Sequence, residues 1–268
     1  MKPTHLSLFS GIGGLDLAAE AAGFVTVGQC ELADYPTKVL EKHWPNVPRW
    51  RDIRTLTKDS FYERTGLRTV DIISGGFPCQ PFSVAGKRRS EQDDRYLWTE
   101  MLRVIEELRP CWVLGENVPG IINLALDTVL SDLETCGYAT QAFVIPACGV
   151  DAPHKRERVA VVAYTDSDRC RSWRPKSKRQ FWEAGFANGS QTVADTESWR
   201  EQREQPCGCK TRGFSGGRRW PVEPNVGRVA HGVPCRVDRL KCLGNAVVPQ
   251  QFFPFFDAIY KISYADKE

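Results

Sequence analysis

Residues 1–163 alternate short apolar runs with helix-period stretches, and this alternation limits the chain to few architectures. The runs are His5–Phe9, Val25–Cys30, Val70–Ser74, Cys111–Gly115 and Val159–Ala163. Between them lie helical patterns at about 14–22, 34–43, 96–108 and 121–136. Short apolar runs bounded by glycine read as buried strands. Alternated with helices, they predict an α/β fold, doubly wound around a mostly parallel sheet. Open sheets of that kind gather ligands beyond the carboxyl ends of their strands. The residues that follow each run are therefore where chemistry is expected.

The first run is followed by Ser10-Gly11-Ile12-Gly13-Gly14, a glycine-rich turn that leads into a helix stopped at Gly23. Such a turn lets a ligand approach the backbone closely. The second run delivers Glu31, an acid placed to take a ribose hydroxyl pair. Gly-Ile-Gly-Gly departs from the dinucleotide fingerprint, so a nucleoside cofactor without pyrophosphate fits at least as well. The third run enters Gly75-Gly76-Phe77-Pro78-Cys79-Gln80-Pro81-Phe82-Ser83, where two prolines hold the Cys79 thiol on a rigid turn. A thiol there becomes a strong nucleophile when the site favours its thiolate. An isolated cysteine is more often a small buried hydrophobe. Here the acids and arginines at neighbouring strand ends argue for reactivity. The fourth run delivers Glu116-Asn117-Val118-Pro119-Gly120, a second strand-end carboxylate. Before the fifth lies His154-Lys155-Arg156-Glu157-Arg158. Alternate residues of an extended segment share a face, so Arg156 and Arg158 are expected to face one pocket.

With 268 residues the chain can bury a full core, and its 41% apolar and 26% charged content is that of a soluble globular protein. No apolar stretch approaches the ~20 residues of a membrane span, and no signal-peptide pattern precedes the first strand. A cytoplasmic location, no membrane partner and reduced thiols are therefore expected, although there are 10 cysteines. After Tyr164 the periodicity fades. Residues 165–236 hold 14 Lys plus Arg against 8 Asp plus Glu, a net of +6 that leaves the remainder near −3. With Trp173, Phe181, Trp182 and Trp199 interleaved, this basic segment suits a nucleic acid, although a small aromatic core under a solvated surface explains most of the tryptophans as well. Cys207-Gly208-Cys209 lacks zinc-ligand spacing, so no metal is expected. The organisation read from the sequence is a main domain over 1–164, a small irregular second region over 165–236, and a closing segment over 237–268. Its apolar tail, Pro249–Tyr260, is expected to form a helix that packs back on the sheet and brings Asn245 near the glycine turn.

These segments, in this order, resemble the DNA (cytosine-5) methyltransferase family of bacteria and phages. Phe9 to Gly14 is similar to its S-adenosylmethionine loop, Pro78-Cys79-Gln80 to its catalytic Pro-Cys-Gln, and Glu116-Asn117-Val118 to its Glu-Asn-Val. Arg156-Glu157-Arg158 matches the end of Gln-x-Arg-x-Arg, with His154 at the position of the glutamine. Leu243–Pro249 resembles the Gly-Asn-(Ser/Ala)-Val segment. The resemblance covers 5–163 and about 238–262, and implies the S-adenosylmethionine-dependent methyltransferase fold. It implies Cys79, Glu116, Arg156 and Arg158 as catalytic residues. For the cofactor it implies Phe9, Ser10, Gly11, Gly13, Gly14, Leu15, Glu31 and Leu32, with Asp52 and Ile53 at an Asp-Ile pair, and Pro78, Leu97, Asn245, Ala246 and Val247. The polar loop after Cys79 would close over DNA, with Gln80, Ser83, Lys87, Arg88 and Arg89 in contact. The implied reaction is methyl transfer to C5 of a flipped cytosine in double-stranded DNA, by a monomer compatible with a cognate restriction endonuclease. A tRNA cytosine-5 methyltransferase of the same fold, a non-catalytic DNA-binding relative and an unrelated nucleotide-binding oxidoreductase are the alternatives.

Overall fold

The computed structural model describes residues 2–78, 97–165, Cys170 and 234–264. Cys79, Gln80, Ser83, Lys87, Arg88 and Arg89 lie outside the described residues, as does nearly all of 165–236. Seven strands form one sheet: β1 Thr4–Leu8, β2 Val25–Cys30, β3 Arg49–Trp50, β4 Ile72–Gly75, β5 Trp112–Asn117, β6 Ala139–Ile145 and β7 Arg158–Tyr164. Their order is β3-β2-β1-β4-β5-β7-β6. Pairings among β1 to β5 are parallel, and β7 enters antiparallel between β5 and β6. The sheet is therefore mostly parallel and α/β, as expected. Strand β6, unannounced by its sequence, is half-buried along most of its length because it is the edge.

Side chains alternate across the central strands and feed two cores. Leu6 and Leu8 of β1, Ile73, Val113, Val159 and Val161 face one cluster; Ile72, Leu114 and Ala160 face the other. The first is covered by α3 (Lys58–Thr65), α4 (Trp98–Leu108) and α6 (Leu126–Thr135). Burial on both faces is why these strands read as continuous apolar runs. The second core is covered by α1 (Gly14–Ala21) and α8 (Pro249–Tyr264), through Leu15, Ala18 and Ala19 against Phe252, Phe256 and Ile259. Phe24 meets Phe256 and Tyr260 edge-on. The C-terminal helix thus returns to the sheet, as its apolar tail predicts.

Helix α2 (Asp34–His43) occupies its expected span, whereas the pattern over 121–136 divides at Ala125 (φ −152°) into α5 (Ile121–Leu124) and α6. Helix α3 carries no strong apolar periodicity and is set by a Thr57–Ser60 capping box and the left-handed Gly66. A polar helix, α7 (Arg236–Asn245), precedes α8. Among the described residues no helix is long and apolar enough to cross a membrane.

The expectation of reduced thiols fails at one pair. Cys111 and Cys170 are joined in a disulfide, with Cα atoms 5.7 Å apart. The antiparallel register sets Tyr164 opposite Trp112, and the Thr165 amide donates to the Cys111 carbonyl. The chain leaving β7 therefore runs past Cys111, a proximity that spacing along the sequence does not reveal.

Candidate active site

Strand register assembles the site. Cys30, Leu8, Gly75 and Gly115 form one row across the sheet, at the carboxyl ends of β2, β1 and β4 and two residues short of the end of β5. The next residues are Glu31, Phe9 and Gly76, where three loops leave the sheet, and Glu116, which is still paired to Ala160 of β7. A cleft of about 1060 Å³ opens above them, at the point where the strand order reverses between β1 and β4.

On the β1 side the glycine turn is drawn into place by hydrogen bonds. Ser10 donates its amide to the Cys30 carbonyl and its hydroxyl to Ser7. Beneath it, buried Asp16 accepts from the Ser7 hydroxyl and from the Gln29 amide, and burial pushes its carboxyl up to about 6. Glu31 accepts from the Gly11 amide with one carboxylate oxygen and from the Ala33 amide with the other, each at 2.8 Å. Both oxygens keep lone pairs free for a ligand's hydroxyls. Phe9, Ser10, Gly11, Gly14 and Leu15 line the cleft, with Glu31 and Leu32 beside them. Gly13 instead backs onto Trp44.

The β5 side is built around Glu116, which is buried and paired with Arg158 (Nε to Oε1 2.9 Å). The two atoms meet as an ion pair rather than as an aligned hydrogen bond. Burial pushes the Glu116 carboxyl up to about 7, against the pull of Arg158 and Arg156. Gly76 preserves the space: a Cβ there would stand 2.6 Å from the carboxylate. Asn117 donates to the Phe77 carbonyl at 3.0 Å, and the Phe77 ring packs against Trp98, so the start of the β4 loop is anchored. Pro78, Leu97, Glu116 and Arg158 line the same cleft as the glycine turn. Pro78 is the sequence neighbour of Cys79.

The two arginines part company. Arg156 takes φ 33°, so the segment is not extended there and the expected alternation breaks. Its Nη2 donates to the carbonyls of Gly244 (2.7 Å) and Ala246, and its side chain is outside the cleft lining. Asp52 and Ile53 also lie off the lining; Asp52 accepts from the Arg54 amide to start a 3-10 turn, and Ile53 is core. Asn245, Ala246 and Val247 close the cleft from the far side, and Val247 would meet a Cβ on Gly14 at 2.6 Å. Residues that the sequence reading passed over also line it: Asp34, Tyr35 and Lys38 from α2, and Asp238, Lys241 and Cys242 from α7. Those on α2 follow Glu31 directly and had that proximity as a signal. Those on α7 directly precede the Leu243–Pro249 segment and had that proximity as their signal.

A pyrophosphate-free nucleoside fits this half-apolar cleft. Exposed turn backbone and the Glu31 carboxylate offer the polar groups a sugar needs, while Leu15, Leu32 and Val247 offer apolar contact.

Comparison with known proteins agrees with this geometry. Residues 4–206 match the model of the C-5 cytosine-specific DNA methylase family. The Type II methyltransferase M.Eco47II of Escherichia coli is 37% identical over 167 residues, which cover 60% of this chain and 39% of that protein. M.AquIA of Picosynechococcus is 36% identical over 178 residues, 60% of this chain and 72% of the relative. The chain thus matches about two fifths of M.Eco47II and most of M.AquIA. Among solved structures, a prophage-encoded putative DNA modification methyltransferase from E. coli superposes with a TM-score of 0.55 at 26% identity, over 67% of this chain and 50% of that one. A mutant of Spodoptera frugiperda DNMT2 gives 0.53 at 25%, over 62% and 51%.

Proposed function

Because the chain belongs to the C-5 cytosine-specific DNA methylase family, we propose that it methylates C5 of cytosine in double-stranded DNA through a covalent adduct with Cys79. The observation that carries this reading is Glu116, a buried carboxyl poised near neutrality beside Arg158 in the same cleft as the glycine turn. Bound there, S-adenosylmethionine supplies the electrophilic methyl group. Glu31 holds the ribose hydroxyls with its spare lone pairs, and the backbone of Ser10 and Gly11 borders the nucleoside.

C5 of cytosine is a weak nucleophile, so the ring needs activation. The Cys79 thiolate adds to C6, forming an S–C6 bond and making C5 enamine-like. Addition places charge on N3, and a carboxyl whose pKa stands near 7 can hold a proton there at physiological pH. Glu116 also accepts from the exocyclic amino group. Arg158 keeps that carboxyl oriented and offers its remaining N–H groups to the O2 edge. After methylation a water takes the C5 proton, the C5–H electrons form the C5=C6 bond as the S–C6 bond breaks and the thiolate leaves, and the N3 proton returns to Glu116. The target base must leave the duplex to enter the cleft, so the enzyme flips it. Gln80, Ser83, Lys87, Arg88 and Arg89 contact the DNA around that base, and 165–236 read a short site of roughly four base pairs or act with relaxed specificity. The Type II naming of the relatives supports a cognate restriction endonuclease as a partner.

Bisulfite sequencing of DNA from cells expressing the chain is the test. Protected cytosines at one short motif are expected, with protection lost in Cys79→Ser, and a 5-fluorocytosine duplex should trap the adduct. Full conversion of DNA, or protection confined to tRNA, overturns the reading.

A further inference from the structure

Arg156 and Gln251 clasp two distant parts of the chain behind the cleft. The Arg156 guanidinium donates to the carbonyl oxygens of Gly244 and Ala246. In return the fully buried Gln251 donates its Nε2 to the carbonyls of Arg156 at 2.9 Å and Ile145 at 3.0 Å. Each side chain grips the backbone of the other's segment. A left-handed backbone at Arg156 is costly for a residue with a Cβ, and such strain persists only where surroundings impose it. The clasp supplies that imposition, since the Arg156 carbonyl is itself held by Gln251.

What the clasp holds is the wall of the cleft. Gly244, Asn245, Ala246 and Val247 all line it, and Val247 sits against Gly14 of the glycine turn. Gly244 and Asn245 are the exposed last residues of α7, and beyond the helix the Ala246 amide donates back to the Cys242 carbonyl. Without the guanidinium, two carbonyls at the helix's C-terminal end, which have no further intrahelical donor, would lose a charged one. Arg158, two residues away, instead turns to Glu116.

We propose that Arg156 is a positioning residue for the cofactor: it fixes Gly244–Val247 as the wall facing the glycine turn, with Gln251 as its brace. The arginine pair thus divides its labour, Arg158 serving the base and Arg156 serving cofactor affinity. This inference rests on the cleft being the S-adenosylmethionine site.

Two measurements on the full chain test it. Hydrogen exchange on cofactor-free protein reads the wall directly: Arg156→Ala and Gln251→Ala should each speed exchange at the Ala246 amide roughly tenfold or more, while β1 and β5 stay protected. Arg156→Lys, which keeps one charged donor, should restore part of the protection and controls for a variant that misfolds. Calorimetry with S-adenosylmethionine should show its Kd raised roughly tenfold or more in Arg156→Ala, a larger loss than that in single-turnover rate at saturating cofactor. Arg158→Lys should reverse the split. Unchanged exchange, or a rate loss with unchanged Kd, overturns the proposal and makes Arg156 a catalytic residue. Failure of the wild type to bind S-adenosylmethionine, with the exchange result intact, overturns the cleft assignment instead.

Discussion

Glu31 and Glu116 each stand one residue beyond the last parallel pairing of their strand, Glu31 leaving β2 and Glu116 still paired to β7, and their surroundings differ. Glu31 is half-buried, and its two oxygens are met by the amides of Gly11 and Ala33. Neutral backbone donors stabilise an anion and fix its direction. Glu116 is buried, and its partner is a guanidinium that only partly offsets the loss of water. The first arrangement presents a fixed acceptor to a ligand. The second holds a proton that can be given up near pH 7. A strand-end acid is thus suited to binding or to proton transfer according to its solvation and its partner.

Exchanging that proton-holding carboxyl for an amide should break the comparison most sharply. Glu116→Gln should lower the methyl-transfer rate by about 10²–10⁴-fold in a tritiated-methyl assay, with cofactor affinity little changed. An equal loss of affinity would mean that both glutamates bind cofactor. Glu31→Ala should do the reverse, weakening S-adenosylmethionine binding roughly ten- to a hundredfold by calorimetry, as befits the loss of about 1.5–3 kcal/mol.

The pH profile sharpens the contrast further. Glu116 is protonated below about 7, so a step that needs its acid form should be lost as pH rises through that value, by up to ~tenfold per pH unit. Removing Arg158 takes away a charge that lowers this pKa. In Arg158→Ala the Glu116 titration, followed by carbon NMR of labelled glutamate, should therefore move to higher pH.

The smallest effect is on stability. A carboxyl raised from 4.5 to about 7 contributes stability that is full below 4.5 and is lost as pH rises through about 7. Urea unfolding should show Glu116→Gln gaining on the wild type across that window, by about 1 kcal/mol per pH unit or less. A parallel pair of stability curves would show that burial does not perturb Glu116.

How far the site was legible follows from where its residues lie along the chain. Phe9, Glu31, Pro78 and Glu116 end apolar runs, and strand register brings run ends together wherever a parallel sheet forms. Asp52, placed at the cofactor through its Asp-Ile pair, stands off the cleft lining and accepts from the Arg54 amide to start a turn. Of the α7 lining residues Asn245 was legible through its motif, whereas Asp238, Lys241 and Cys242 carried only their closeness to it, because a polar helix gives no sign of what it will cover.

The sequence by itself determined five of the seven strands, the mostly parallel class of their sheet and the segments beyond them where chemistry is expected. Continuous apolar runs and glycine punctuation are local, and they act before any contact forms. Only the tertiary structure decided which side chains meet. It sent Arg158 to Glu116 and Arg156 to the Gly244–Ala246 carbonyls through one residue's backbone sign. It brought Cys170 to Cys111 through an antiparallel register. Those outcomes depend on long-range packing, which fixes directions and distances that spacing along a chain does not contain.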